Sequence, residues 1–233
     1  MGFMSRRKTQ GRVVVVILAL IIGVTMVGSS IYYSFSGTGI SGNQQNTAGN
    51  SKLQEDQIIQ NIKILQDQVK NNPSDLKTAE SLASFGYFEL GKFYMQKAST
   101  ATDKKVSDDL LKKADEQYNL AIVEYEKVIK ADPKNVASLG DLATSYFYIN
   151  RVDDAIITAQ KALAVDPNYN TARMNLGIYL GEGKQDYKGA IVELKKIPSS
   201  DQNYQNAKDL IDKFSKATPT LPNLPQSNTP AKK

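Results

Sequence analysis

Apolar residues between positions 52 and 216 recur every three or four positions, which is the spacing of amphipathic helices rather than of strands. Two stripes show the pattern clearly. The first comprises Ile58, Ile62, Leu65 and Val69; the second comprises Leu111, Ala114, Tyr118, Ala121, Tyr125 and Val128. The stretch has no strand-like alternation of apolar and polar residues. We therefore predict an all-α domain over residues 52–216.

Four prolines divide this domain into segments, at Pro73, Pro133, Pro167 and Pro198. Proline cannot continue a helix, so each is expected to follow a helix end. Pro133 and Pro167 are 34 residues apart, which is the length of one helical-hairpin repeat. A repeat of helical hairpins is therefore predicted.

Residues 139–167 carry the most complete repeat. They contain Leu139-x2-Leu142-Ala143-x2-Tyr146, then Ala155-x3-Ala159, then Pro167. This unit resembles the tetratricopeptide repeat (TPR), with Leu139 in place of the usual tryptophan and Ala159 in place of an aromatic residue. The small Ala143 and Ala155 fall where the two helices must approach closely.

Weaker units lie on either side. Residues 173–194 contain Arg173-x2-Leu176-Gly177-x2-Leu180 and Ala190-x3-Leu194, and the preceding unit offers Leu82-Ala83 and Ala121-x3-Tyr125. Because Pro73 and Pro133 are further apart than one repeat, we expect a lengthened hairpin. Its polar loop is predicted near residues 98–106, and its second helix at Ser107.

Helices flank the three hairpins. One covers residues 52–71. The last places Tyr204, Ala207, Leu210, Ile211 and Phe214 on one face and charged residues opposite, as suits the end of a stack. The predicted fold is therefore an all-α, TPR-type solenoid of about three repeats with capping helices, preceded by one transmembrane helix.

That transmembrane helix is predicted at residues 13–35, which are uncharged and long enough to cross the roughly 30 Å hydrocarbon core. Four cations in residues 1–12 (Arg6, Arg7, Lys8 and Arg12) favour a cytoplasmic N-terminus, with the repeat domain outside the plasma (inner) membrane. The alternative is a cleaved signal peptide and secretion, although no clean cleavage site is present.

Polar segments separate and follow these parts. Residues 36–51 are rich in glycine, serine and asparagine and are predicted to be a flexible linker. They contain a G-x-G-x-x-G at Gly37, Gly39 and Gly42, but without a preceding strand it does not indicate a dinucleotide site. Residues 217–233 hold four prolines and are predicted to be a disordered tail.

Composition narrows the function. The chain has no His, Cys or Trp, so no imidazole base, thiolate nucleophile or zinc ligand set of His and Cys is available. The net charge of +5 belongs to the flanks, because residues 52–217 hold 23 basic and 24 acidic side chains. A nucleic-acid partner is therefore not expected. We predict no enzyme activity, no cofactor and no metal site.

The TPR resemblance implies that the first helix of each hairpin lines a concave, peptide-binding face. The candidate groove residues are Tyr87, Phe88, Asp141, Thr144, Phe147, Tyr148, Met174, Asn175 and Ile178. Asp141 and Met174 stand where TPR domains that hold a C-terminal carboxylate would need cations. Tyr148 is expected to face the groove beside Thr144, so that Tyr148→Ala weakens binding and leaves the fold intact.

Two functions fit this pattern. The first is a membrane-anchored module that binds a protein or peptide, as an assembly factor, a chaperone-like protein or an adaptor of a translocon or envelope complex. The second is a structural or homo-oligomerising subunit of such a complex with no free groove.

Overall fold

The computed structural model describes residues 47–217, and side chains from residue 51. Outside the described residues lie the predicted cytoplasmic segment 1–12, the predicted transmembrane segment 13–35, residues 36–46 of the predicted linker 36–51 and residues 218–233 of the predicted tail 217–233. The helices, in chain order, are α1 (Thr47–Asn71), α2 (Leu76–Ser81), α3 (Glu89–Thr100), α4 (Lys104–Ala131), α5 (Val136–Tyr148), α6 (Val152–Val165), α7 (Asn170–Ile178), α8 (Tyr187–Leu194) and α9 (Tyr204–Ala217).

Three helical hairpins form the stack. A π-helical segment, Leu82–Phe88, joins α2 and α3 into one continuous first helix, which pairs with α4. The second hairpin is α5 with α6. In the third, α7 continues through a π-helical segment, Tyr179–Gly183, and pairs with α8. Each hairpin packs on the next, so the predicted all-α repeat architecture is confirmed for the described residues.

The predicted proline stops are confirmed. Helices α1, α4 and α6 each end two residues before a proline, and the chain then makes a short turn into the next hairpin. In two of these turns an aspartate closes the bend: Asp132 Oδ1 accepts from the Lys134 amide at 3.1 Å and Asp166 Oδ1 accepts from the Asn168 amide at 2.9 Å. The repeat boundary is thus specified locally by the Asp-Pro pair.

The turn inside the first hairpin is shorter than predicted. Helix α3 runs to Thr100 and α4 begins at Lys104, with Asp103 as N-cap accepting from the Val106 amide at 3.0 Å. The expected start at Ser107 was therefore wrong. Ser107 instead donates its hydroxyl to the Ala98 carbonyl at 3.0 Å and ties the turn together.

The first hairpin also contains a second, more complete repeat motif. Tyr87-x2-Leu90-Gly91-x2-Tyr94 has the TPR spacing, and all four residues are buried. A Cβ on Gly91 would lie 2.9 Å from Cε1 and Cζ of Tyr118, whose side chain is fully buried. Glycine is thus required where α3 crosses the Tyr118 ring on α4.

Both ends of the stack are covered by single helices. Helix α1 buries Ile62 against the first hairpin, and Tyr94 donates to Glu55 of α1 at 3.0 Å. Helix α9 buries Ala207, Leu210 and Phe214, as predicted, whereas Tyr204 is exposed because it lies at the first residue of the helix.

The first helix starts earlier than predicted. Helix α1 begins at Thr47, so the end of the segment predicted as linker is helical. None of the helices within residues 47–217 combines the length and the apolar character needed to span a bilayer.

Candidate binding face

Helix α5 has one accessible stripe. It packs on α4, α6 and α7, and residues 138–140, 142, 143 and 145–147 are buried. Ala137 is exposed, and Asp141, Thr144 and Tyr148 are half-buried. These four residues follow helical spacing, so they form a single strip along the helix. A ligand that contacts the central hairpin on its first helix must contact this strip.

Asp141 gives the strip its charge. Its carboxylate accepts a hydrogen bond from the Tyr125 hydroxyl at 3.2 Å, and burial raises the pKa of Asp141 to about 6. The nearby carboxylates Glu80 and Glu89 raise that pKa further, while the Tyr125 hydrogen bond and Lys92 lower it. Asp141 is therefore an incompletely neutralised charge at the junction of the first and second hairpins.

The first hairpin contributes charges to the same junction. Glu80 of α2 accepts from Ser138 Oγ at 2.7 Å and from Asn135 Nδ2 at 3.2 Å, which bridges the two hairpins through neutral groups. Glu89 and Lys92 of α3 pair at 2.8 Å. Among residues 47–217, neither Glu80 nor Asp141 forms an ion pair, so this surface carries excess negative charge.

Tyr148 lies at the C-terminal end of the strip. Its ring stacks on Tyr118 at 4.8 Å between centroids and lies 5.8 Å from the Phe88 ring. Burial, reinforced by Glu89, raises the pKa of Tyr148 well above its ordinary value. The side chain therefore packs between hairpins while still exposing part of its surface.

We call the set of accessible or charged residues at this junction the binding face. It comprises Glu80, Glu89, Lys92, Ala137, Asp141, Thr144 and Tyr148.

Thr144 links the binding face to the third hairpin. Its hydroxyl donates to the Gly140 carbonyl at 2.9 Å and lies 3.0 Å from the Tyr179 hydroxyl. Asn175 Nδ2 also reaches Thr144 Oγ1, at 3.4 Å. The polar side chains of the strip are therefore held in place by neighbouring helices rather than free to rotate.

The nine predicted groove residues divide into two groups. Asp141, Thr144 and Tyr148 lie together on the accessible strip. The other six are buried: Tyr87, Phe88, Phe147, Met174, Asn175 and Ile178. A peptide cannot contact these six without moving the helices that cover them, so their expected exposure was wrong.

Contacts with neighbouring helices explain why these six side chains are buried. Phe88 packs on Tyr118 at 5.5 Å, Tyr87 accepts from Gln66 of α1 at 2.8 Å, and Phe147 lies 4.6 Å from Tyr179. Met174 is 0% exposed, Asn175 8% and Ile178 5%. The expectation treated the first helices as open on one side, whereas neighbouring helices cover α7 and the middle of the first helix.

Tyr148 also departs from expectation in one respect. Because its ring stacks on Tyr118, the prediction that Tyr148→Ala leaves the fold unaffected does not fit the packing. Three residues outside the predicted groove, Glu80, Glu89 and Lys92, lie close enough to shift the pKa of Asp141. Their proximity depends on the pairing of two hairpins and could not be read from local spacing.

Two pairs of adjacent aspartates lie near helix N-termini. Asp153 and Asp154 lie in the first turn of α6, where negative charge is favourable. Asp108 and Asp109 lie in the second turn of α4, because α4 begins at Lys104. No three acidic side chains within residues 47–217 are grouped so as to hold a metal ion.

Comparison with known proteins identifies the repeat. Residues 113–176, from the middle of α4 to α7, match the family model of the tetratricopeptide repeat. No curated protein is detectably similar to the chain. Among solved structures, the crystal structure of MamA is 18% identical, covering 74% of this chain and 99% of that chain with a TM-score of 0.32. At this TM-score the likeness says nothing about function.

Residues 113–176 are therefore similar to the tetratricopeptide repeat, and they lie in a stack that is all-helical over residues 47–217, as the sequence predicted. Tetratricopeptide repeats are in general protein-interaction modules, which suggests an interaction scaffold as the class of protein.

Proposed function

We propose that this protein is a membrane-anchored scaffold whose repeat domain binds an extended polypeptide segment along the binding face. The observation that carries the proposal is the α5 strip, since it is the accessible side of an otherwise buried central helix and combines a carboxylate, a hydroxyl and an aromatic ring. Half-buried aromatic and charged groups held rigidly are favourable for binding because little side-chain freedom is lost.

The charge of the binding face selects the kind of segment. Neither Asp141 nor Glu80 forms an ion pair among the described residues, and Lys92, the cation that acts on Asp141, is already paired with Glu89. A segment that carries lysine or arginine would supply the missing counter-charge, whereas an acidic segment or a free C-terminal carboxylate would be repelled. We therefore propose a basic, extended segment as the ligand.

The membrane anchor and the location belong to the same proposal. They rest on the uncharged run at residues 13–35 and the cations before it. With the repeat domain outside the plasma membrane, the protein would serve as an assembly factor, a chaperone-like protein or an adaptor for an envelope complex.

The ligand chemistry is tested with two fluorescein-labelled peptides, one of alternating lysine and alanine and one of alternating glutamate and alanine. We expect the full chain to bind the lysine peptide by fluorescence anisotropy and to bind the glutamate peptide far more weakly. Asp141→Asn should weaken lysine-peptide binding by about 1–3 kcal/mol, since a charged hydrogen-bond acceptor is lost.

The matched control is Glu116→Gln, which removes one negative charge from an exposed position on α4. It should leave the affinity unchanged. Equal loss in both variants would show that only net charge matters. A chain that sediments as an oligomer and captures no peptide would instead favour a structural subunit without a free groove.

A further inference from the structure

The second helices of the three hairpins carry matching exposed apolar residues. Each is a β-branched residue that follows a fully buried alanine by two positions. Val123 of α4 is 48% exposed, Ile157 of α6 is 50% exposed and Val192 of α8 is 56% exposed, while Ala121, Ala155 and Ala190 are each 0% exposed. We call these three side chains the apolar row.

Single exposed apolar residues are common on protein surfaces and need no explanation. The apolar row differs because its members occupy the same position in three successive hairpins. Equivalent positions of stacked repeats recur on the same side of the stack, so the three side chains lie along one side of the domain. They remain in contact with water unless something covers them.

A lysine follows each member of the apolar row after one further helical turn. These lysines are Lys127, Lys161 and Lys196. Lys127 pairs with Glu124 and Lys196 with Glu193, both at 2.7 Å, yet their side chains remain 57% and 50% exposed. Exposed pairs of this kind are weak, so the ammonium groups can exchange these partners for others.

The apolar row and the binding face lie on different helices. The binding face belongs to the first helices of the first and second hairpins, whereas the apolar row belongs to the second helices of all three. The two surfaces therefore share no residue.

We propose that the apolar row rests on the lipid surface of the membrane to which the chain is anchored. This inference rests on the anchor of the proposed function. The predicted transmembrane segment ends at residue 35 and α1 begins at Thr47, so the domain is separated from the bilayer by about 11 residues, which span at most about 40 Å. A tether of this length holds the domain at high effective concentration beside the lipid.

The chemistry of the row suits a lipid interface. Apolar side chains can enter the boundary between headgroups and acyl chains, while lysines one turn away reach lipid phosphates. Each contact is weak alone, and the covalent tether makes weak contacts sufficient.

Because the chain has no cysteine, single positions can be labelled without background. The full chain is reconstituted into vesicles of phosphatidylcholine and phosphatidylglycerol, with an environment-sensitive fluorophore on Ile157→Cys or Val192→Cys. Ala137→Cys, exposed on the binding face, is the control. We expect a lipid-borne quencher to reduce emission from positions 157 and 192 at least about twofold more than from position 137.

The outcomes separate the two proposals. If the chain floats with the vesicles but positions 157 and 192 are quenched no more than position 137, the inference is wrong and the anchor stands. A blue shift at position 157 without lipid quenching would mean that the row packs on protein, such as a second copy, and would also overturn the inference. A chain that does not float overturns the anchor and this inference together.

Discussion

The first and second hairpins each pack two helices together, but they do so with different side chains. The second is compact, with helices of 13 and 14 residues, and its close approaches use alanine: Ala143, Ala155 and Ala159 are almost completely buried. The first pairs α4, of 28 residues, with a long composite helix, and it fills the interface with the Tyr118 ring over Gly91. A large ring at the helix crossing needs glycine on the facing helix. Where alanines face each other, no glycine is needed.

This difference predicts different sensitivities to mutation. Where alanine meets a neighbouring helix, adding volume should be harmful. Where a tyrosine fills the space, removing volume should be more harmful still.

The largest effect is expected from Tyr118→Ala in the first hairpin. Tyr118 is 0% exposed, packs on Phe88 and Tyr148, and places its hydroxyl 3.2 Å from Met95 Sδ. Removing the ring leaves a cavity that the surrounding side chains fill only in part, so we expect a loss of about 3–5 kcal/mol in urea unfolding.

Tyr118→Phe is the matched control for that experiment. It keeps the ring and removes only the weak hydroxyl–sulfur contact, so the free energy of unfolding should change by less than about 1 kcal/mol. Similar losses in both variants would show that the hydroxyl, and not the ring, stabilises the hairpin.

The second hairpin should respond to added volume. Ala155 is 0% exposed, so Ala155→Leu should overpack the hairpin and lower the free energy of unfolding by about 1–3 kcal/mol. Lys161→Ala, on the exposed side of the same helix, should stay within about 0.5 kcal/mol. If the two variants melt alike, Ala155 is not a close-approach residue.

The same contrast explains what the sequence could predict. In the second hairpin the repeat motif, the proline stop and the buried stripe coincide, so the local pattern was sufficient. In the first hairpin the Leu82-Ala83 pair was chosen, although Tyr87-x2-Leu90-Gly91-x2-Tyr94 has the fuller TPR spacing. The π-helical segment Leu82–Phe88 contains that pair and the first residue of the fuller motif. It changes the helical register, and that change has no clear signal in the sequence.

The candidate site was less predictable than the fold. The strip of Asp141, Thr144 and Tyr148 followed from helical spacing on α5. The burial of Met174, Asn175 and Ile178 did not, because it depends on how closely neighbouring helices cover α7. Likewise, no spacing rule brings Glu80 and Glu89 near Asp141, since their proximity arises from the packing of one hairpin against another.

The smallest effect concerns the junction between the two hairpins and depends on pH. The pKa of Asp141 is raised from 3.8 to about 6, chiefly by burial, so the folded state binds more protons than the unfolded state between those values. Above pH 7 the carboxylate is ionised in both states, and its charge destabilises the fold. The free energy of unfolding therefore rises as the pH falls from 7 toward 4.

Asp141→Asn removes the charge and can still accept a hydrogen bond from Tyr125. At pH 8 it should be more stable than the natural chain by about 1–2 kcal/mol, less than the full shift implies because the side chain is partly exposed to solvent. This advantage should shrink through pH 6 and vanish below pH 4. Asp153→Asn, whose natural carboxylate is 78% exposed, is the control and should show no such pH dependence beyond about 0.5 kcal/mol. Urea unfolding at pH 4, 6 and 8 measures both variants. An advantage for Asp141→Asn that is constant with pH would mean that side-chain shape, and not the buried charge, matters at this junction.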